Sequence, residues 1–136
     1  MRIDKVVVNS SPLIVLFRSG QVELFPKLFE AIVVPEQVYE ELIAGGKGDA
    51  LESAIPQFHW IVRKKVDISL SVAAWNLGSG ESAVFSFALQ KPGFRAVVDD
   101  LAACRCAQAF GVQTLGTGGL LVLPLFRHSG PVSSTG

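Results

Sequence analysis

The chain has 136 residues, 49% of them hydrophobic, and a mean hydropathy of +0.42, values that exclude a disordered segment and fit one domain with a sizeable core. Twelve Lys and Arg balance twelve Asp and Glu, so no strong net field recruits a polyanion, and a nucleic acid would have to be met by a local patch. The N-terminus is charged where a secretory leader needs an apolar core, and no apolar run reaches the roughly 18 residues of a membrane span; a cytoplasmic protein with no membrane partner is expected.

The β-branched run Lys5 to Val8 ends in Asn9-Ser10-Ser11-Pro12, after which Leu13, Ile14, Leu16 and Phe17 have the spacing of a helix's buried face. This predicts strand, turn and helix, with Ser11 as the cap and Pro12 in the first turn. Asn9 then stands at the carboxyl end of a strand. Gln21 to Phe29 reads as a short or broken helix because of Pro26. Ile32-Val33-Val34 is a second buried strand, and Pro35-Glu36 opens a helix expected to end at Gly45-Gly46. In that helix Val38 and Leu42 mark the inner face and Glu41 borders it, whereas Glu36 and Glu40 lie on another flank. Spacing alone leaves Glu41 either a solvated carboxylate or a functional one.

Gly45-Gly46-Lys47-Gly48 is not a Walker loop, since it follows a helix and Gly48 replaces the required Ser or Thr. Asp49 to Ile55 predicts a short helix closed by Pro56, and Phe58 to Val62 a strand containing His59 and Trp60. Arg63-Lys64-Lys65 reads as a solvated basic turn, or as a local track for a phosphate backbone. Leu77-Gly78-Ser79-Gly80 breaks the chain before a helix in which Val84, Phe85, Ala88 and Leu89 align with Glu81. That register puts Glu81 at the top of the buried stripe, although a first-turn acid also suits the helix dipole from the solvent side.

Pro92-Gly93 turns into a buried strand over Ala96 to Val98, which ends in Asp99-Asp100. In parallel α/β sheets ligands bind beyond the carboxyl ends of strands, which makes Asp99 a site candidate. Asp100, directly before a helix over Leu101 to Phe110, is first an N-cap and second a reserve ligand. Cys104 and Cys106 lie two apart on that helix and point away from one another, as reduced core thiols do. Gly111 ends the helix, Val112 to Leu115 predicts a last strand, and Gly116-Thr117-Gly118-Gly119 is a weak signal for a phosphate-binding turn. Residues 129–136, rich in Ser, Thr, Gly and Pro, are expected to form a flexible tail, leaving 1–128 as the domain.

The alternation predicts a three-layer α/β/α domain with a mostly parallel central sheet. If the strands ending in Asn9 and Asp99 are neighbours, their oxygens can meet those of Glu41 and Glu81 at one sheet edge. Unpaired carboxylates there repel unless protonated or neutralised by a cation, and oxygen donors without His or Cys favour Mg²⁺ or Mn²⁺. Such ions assist phosphoryl hydrolysis.

Four segments carry a family resemblance: Val7-Val8-Asn9-Ser10-Ser11-Pro12-Leu13-Ile14, Val34-Pro35-Glu36-Gln37-Val38-Tyr39-Glu40-Glu41-Leu42, Leu77-Gly78-Ser79-Gly80-Glu81-Ser82-Ala83 and Val98-Asp99-Asp100-Leu101-Ala102-Ala103. In kind and in order they resemble the successive motifs of PIN-domain proteins, and in particular the uncharacterised prokaryotic branch related to toxin-antitoxin ribonucleases. The resemblance implies a Mg²⁺- or Mn²⁺-dependent ribonuclease, with metal-site places at Asn9, Glu41, Glu81 and Asp99 and Asp100 close by. It also implies an RNA substrate, an antitoxin protein as partner and a homodimer. Three departures accompany it. Asn9 stands where most PIN nucleases have Asp, and an amide oxygen coordinates without charge and cannot act as a base. Cys104 stands where the branch usually has Arg, and from Pro124 onward the chain does not resemble the Lys-containing last helix. The alternative expectation is therefore a catalytically weak or inactive PIN-like binding protein that works through protein or RNA partners.

Overall fold

Short β-branched runs build the centre of the molecule. In the computed structural model, which describes residues 5–44, 50–99 and 101–116, β1 (Lys5–Val8), β2 (Ala31–Pro35), β3 (Ile61–Lys64), β4 (Phe94–Val97) and β5 (Thr114–Leu115) form one sheet in the order β3-β2-β1-β4-β5. Every pairing is parallel, so the mostly parallel sheet expected from sequence is parallel throughout. Val6, Val7 and Val8 on the central strand are fully buried, as are Ala96 and Val97 beside them. A strand covered on both faces needs a continuous apolar run, and that is what these segments supply.

Helices flank the sheet: α1 (Ser10–Arg18), α2 (Leu24–Leu28), α3 (Glu36–Ala44), α4 (Ala50–Ala54), α5 (Leu70–Ala73), α6 (Ser79–Gln90) and α7 (Leu101–Phe110). The broken segment around Pro26 is α2, and α7 has the limits that its sequence predicts. Gly111 follows α7 at φ +71°, a left-handed conformation open to glycine at little cost. Among the described residues, no helix is long and apolar enough to cross a membrane.

Four expectations are corrected. Helix α1 starts one residue before Ser11, so Asn9, not Ser11, holds the cap position. The third strand is Ile61–Lys64 and not Phe58 to Val62, because pairing with β2 begins at Ile61. Phe58 and Trp60 serve instead in an aromatic stack, their rings 5.0 Å apart and Trp60 5.8 Å from Phe25. Their alternation imitates a strand but comes from packing. Arg63 and Lys64 consequently lie on an edge strand and not in a turn, and Arg63 is held in place, bonded to both carboxylate oxygens of Glu36 and stacked 3.8 Å from the Tyr39 ring centroid.

The fourth correction concerns α6, which begins at Ser79 and is buried from Ser82 to Ala88 on nearly every side. It lies across β1, β2 and β4 and also touches α3, α5 and α7. A helix so enclosed has no single buried stripe, and register does not locate Glu81, which is half-buried in the first turn. Helix α5, short and capped by the Ser69 hydroxyl on the Val72 N–H, was not expected. The expected helix end at Gly45-Gly46, the Gly45 to Gly48 loop, Asp100, the glycine turn beyond Gly116 and the tail lie outside the described residues.

Two outcomes follow from this packing. Phe85 is fully buried in α6, so Phe85→Ala should lower the unfolding free energy by about 3–5 kcal/mol in urea titrations. Burial, and secondarily the charge of Glu81, push the Cys106 thiol up. A thiol raised on folding adds stability that is fully present below its unfolded pKa and is lost as pH rises through the folded one. The stability difference between wild type and Cys106→Ala should therefore shrink as pH rises above about 8.5, where the unfolded thiol titrates, and two parallel pH curves would count against the buried placement.

Candidate functional site

The chain builds β1, β2 and β3 outward in one direction and then returns to lay β4 and β5 on the other side of β1. Strand order reverses between β1 and β4, and at such a switch point the connections part and leave a crevice at the carboxyl edge. Val8 pairs with Val97, and the Asn9 N–H extends the ladder by donating to the Val97 carbonyl at 3.1 Å. Across the sheet, the Val98 N–H donates to the Leu115 carbonyl at 3.2 Å. Asn9 and Asp99 are thereby delivered to the same edge by two neighbouring strands.

Asn9 is 6% exposed and sits at the cap position of α1 with extended backbone, φ −82° and ψ 170°, yet its side chain makes no cap hydrogen bond. Its Oδ1 is buried and has no hydrogen-bond partner among the described residues. An amide oxygen held this way costs about 1–3 kcal/mol unless a donor or a cation completes it. Of the four candidate positions, this is the one where the fold withholds an ordinary partner.

Glu41 projects from α3 and is exposed, the solvated alternative that its spacing at the border of the inner face left open. Its carboxylate is nevertheless placed: the Ser10 hydroxyl donates to Oε1 at 3.4 Å, and the group lies against Gly80 in the first turn of α6. Glu81 follows Gly80 directly, so α3 and α6 bring Glu41 beside the residue that precedes it. Glu81 is half-buried, and its charge is felt by Cys106 on α7. Asp99 is exposed at the end of the β4 segment, and a Cβ on Gly116 would stand 3.3 Å from its Oδ1. Asp100 lies outside the described residues.

Two contacts thus join different parts of the constellation, the Asn9 ladder to β4 and the Ser10-Glu41-Gly80 contact. Among the described residues, no three His, Cys, Asp or Glu side chains form a metal-binding group. Asn9 is not one of those residue types, and Asp100 lies outside the described residues. The donors fit a hard cation in kind, all oxygen, with one buried oxygen lacking a partner among the described residues. Ser10 and Gly80 were not singled out by sequence. Ser10 reads as one more turn residue, and Gly80 as a chain break; the only sequence signal was their adjacency to Asn9 and Glu81.

Comparison with known proteins agrees with the topology. A family model described as a PIN domain matches residues 5–128, which covers every described residue. The search of curated proteins returns no match. PIN domains are generally nucleases and typically depend on a divalent metal ion. Since the match runs through all five parallel strands and both strand-end residues, the chain belongs to the PIN-domain family, and its chemistry is of the nuclease type.

Proposed function

We propose that the protein is a Mg²⁺- or Mn²⁺-dependent ribonuclease that hydrolyses RNA phosphodiesters, and that it serves as the toxin of a toxin-antitoxin pair. The observation that carries the nuclease reading is the buried Oδ1 of Asn9, without a hydrogen-bond partner among the described residues, at the strand switch point on the edge that also bears Asp99. Asn9, Glu41, Glu81 and Asp99, with Asp100 in reserve, would hold the ion. When bound, such an ion supplies Lewis-acid charge to the phosphoryl oxygens and makes water a better nucleophile.

The chain's own residues divide the remaining work. Asp99 and Glu81 bring full charges to the site, and Asn9 contributes an oxygen that needs no proton removed and accepts none. Glu41, oriented by the Ser10 hydroxyl, is exposed and so able to exchange a proton with solvent. Attraction of RNA falls to local basic groups, because the chain has no net charge. The toxin role, the antitoxin partner, the homodimer and the cytoplasmic location rest on the likeness of the four motifs to the toxin-related branch. The domain limits 1–128 and the flexible tail belong to the same proposal.

Two observations favour a second reading, a catalytically weak PIN-domain protein that binds protein or RNA partners. Asn9 removes a charge from the site, and among the described residues the acids do not form a group of three.

Purified protein incubated with structured RNAs and Mn²⁺ should cleave them, and EDTA should stop the reaction. Asp99→Ala and Glu81→Ala should each lower kcat/KM at least about 100-fold, the several kcal/mol of a lost metal ligand; cleavage unchanged by both would remove the metal mechanism. Asn9→Asp should tighten Mn²⁺ binding about tenfold or more in calorimetric titration. A full charge a few ångströms from a divalent ion is worth more than about 1.4 kcal/mol at an effective dielectric near 20. Weaker binding by Asn9→Asp would place the ion elsewhere.

A further inference from the structure

The carboxylate of Glu41 occupies space that a side chain on residue 80 would need. A Cβ built on Gly80 would lie 3.0 Å from Glu41 Cδ and 3.2 Å from Oε2, and nearer still to Oε1, and these carboxyl atoms are its three nearest neighbours. Gly80 is buried, lies within the first turn of α6 and has no positive φ, so its backbone does not itself require glycine. In a helix glycine is the less stable choice relative to alanine. A glycine that the backbone does not need, at a place where its missing side chain is filled by an acid from another helix, has a steric reason to be there.

We propose that Gly80 is a positioning residue which, opposite the Ser10 hydroxyl, fixes where the Glu41 carboxylate stands in the metal site. Ser10 holds Oε1 from the α1 side at 3.4 Å, and the bare Cα of Gly80 admits the same carboxyl group from the α6 side. The far end of a glutamate is free to swing, so alanine at residue 80 displaces Glu41 without disturbing the backbone. The consequence falls on the site and not on the fold. Gly116 stands to Asp99 in a milder version of the same relation, its added Cβ 3.3 Å from Oδ1, a contact relieved by a few tenths of an ångström. The assignment rests on the metal reading of the proposed function.

The test follows Mn²⁺ uptake by the loss of the free-ion electron paramagnetic resonance signal, without RNA, for wild type, Gly80→Ala, Glu41→Asp and the double variant. Gly80→Ala should bind Mn²⁺ about tenfold more weakly, the scale of a lost supporting contact. In the Glu41→Asp background, one methylene shorter, the same substitution should weaken uptake far less. Equal uptake by wild type and Gly80→Ala overturns the assignment alone. An equal loss in both backgrounds also overturns it, since the obstacle would then be the packing of α3 on α6. If wild type takes up no Mn²⁺, the metal reading falls and this assignment with it.

Melting in EDTA supplies a metal-free arm. Gly80→Ala should raise Tm more in Glu41→Ala than in wild type, because the helix gains alanine in both but meets the carboxylate in only one. Identical shifts in the two backgrounds would show that residue 80 and Glu41 do not compete for space.

Discussion

The pairing of β1 with β4 places everything else at the candidate site. Both strands are enclosed, with Val6 to Val8 and Ala96 to Val98 all but inaccessible to solvent, and their register is set by that enclosure. A slip of one residue would turn each apolar side chain to the opposite face and move Asn9 and Asp99 apart by about 3.3 Å. The hydrogen bond from Asn9 N–H to the Val97 carbonyl carries the ladder one step past β1, so Asn9 inherits the precision of the core without belonging to it.

Much of this frame is legible in the chain because parallel strands buried on both faces declare themselves as unbroken β-branched runs. Val6 to Val8, Ile32 to Val34 and Ala96 to Val98 do so, and the strand ends then nominate Asn9 and Asp99. Where the reading strays, the cause is tertiary. On the edge strand, pairing with β2 alone fixes the limits of β3, and the nearby alternation of Phe58 and Trp60 belongs to a ring stack with Phe25. Helix α6 is buried on nearly every side from Ser82 to Ala88, so its register alone does not distinguish the half-buried place of Glu81. Ser10 and Gly80 were illegible for another reason: each acts on Glu41, 31 and 39 positions away in the chain, and no local pattern reports such a meeting.

Three of the candidate donors each have their own mode of restraint. Asn9 is held by a backbone ladder, Glu41 by a hydroxyl and a missing side chain, and Asp99 by the close backbone of Gly116. Supporting groups of this kind decide whether donors are merely near one another or are aimed. The hydroxyl contact at 3.4 Å is long, and a carboxylate held on one side by a weak bond needs a wall on the other; Gly80 leaves room for the group, and its helix is the wall.

The placement of the one amide among these donors has a physical logic. Glu41 and Asp99 are exposed and Glu81 is half-buried, whereas Asn9 is 6% exposed and pinned at the base of α1. A carboxylate at the enclosed position would face desolvation whenever no cation was present, which opposes ionisation. An amide presents a coordinating oxygen there without that cost, at the expense of Coulomb attraction for the ion. Charge is thus absent where water is scarcest and kept where solvent can screen it, an arrangement that favours a folded protein without metal over the tightest hold on metal. The geometry of the switch point is set by the backbone pairing of β1 with β4, so an amide after one strand and an acid after the other can share that edge.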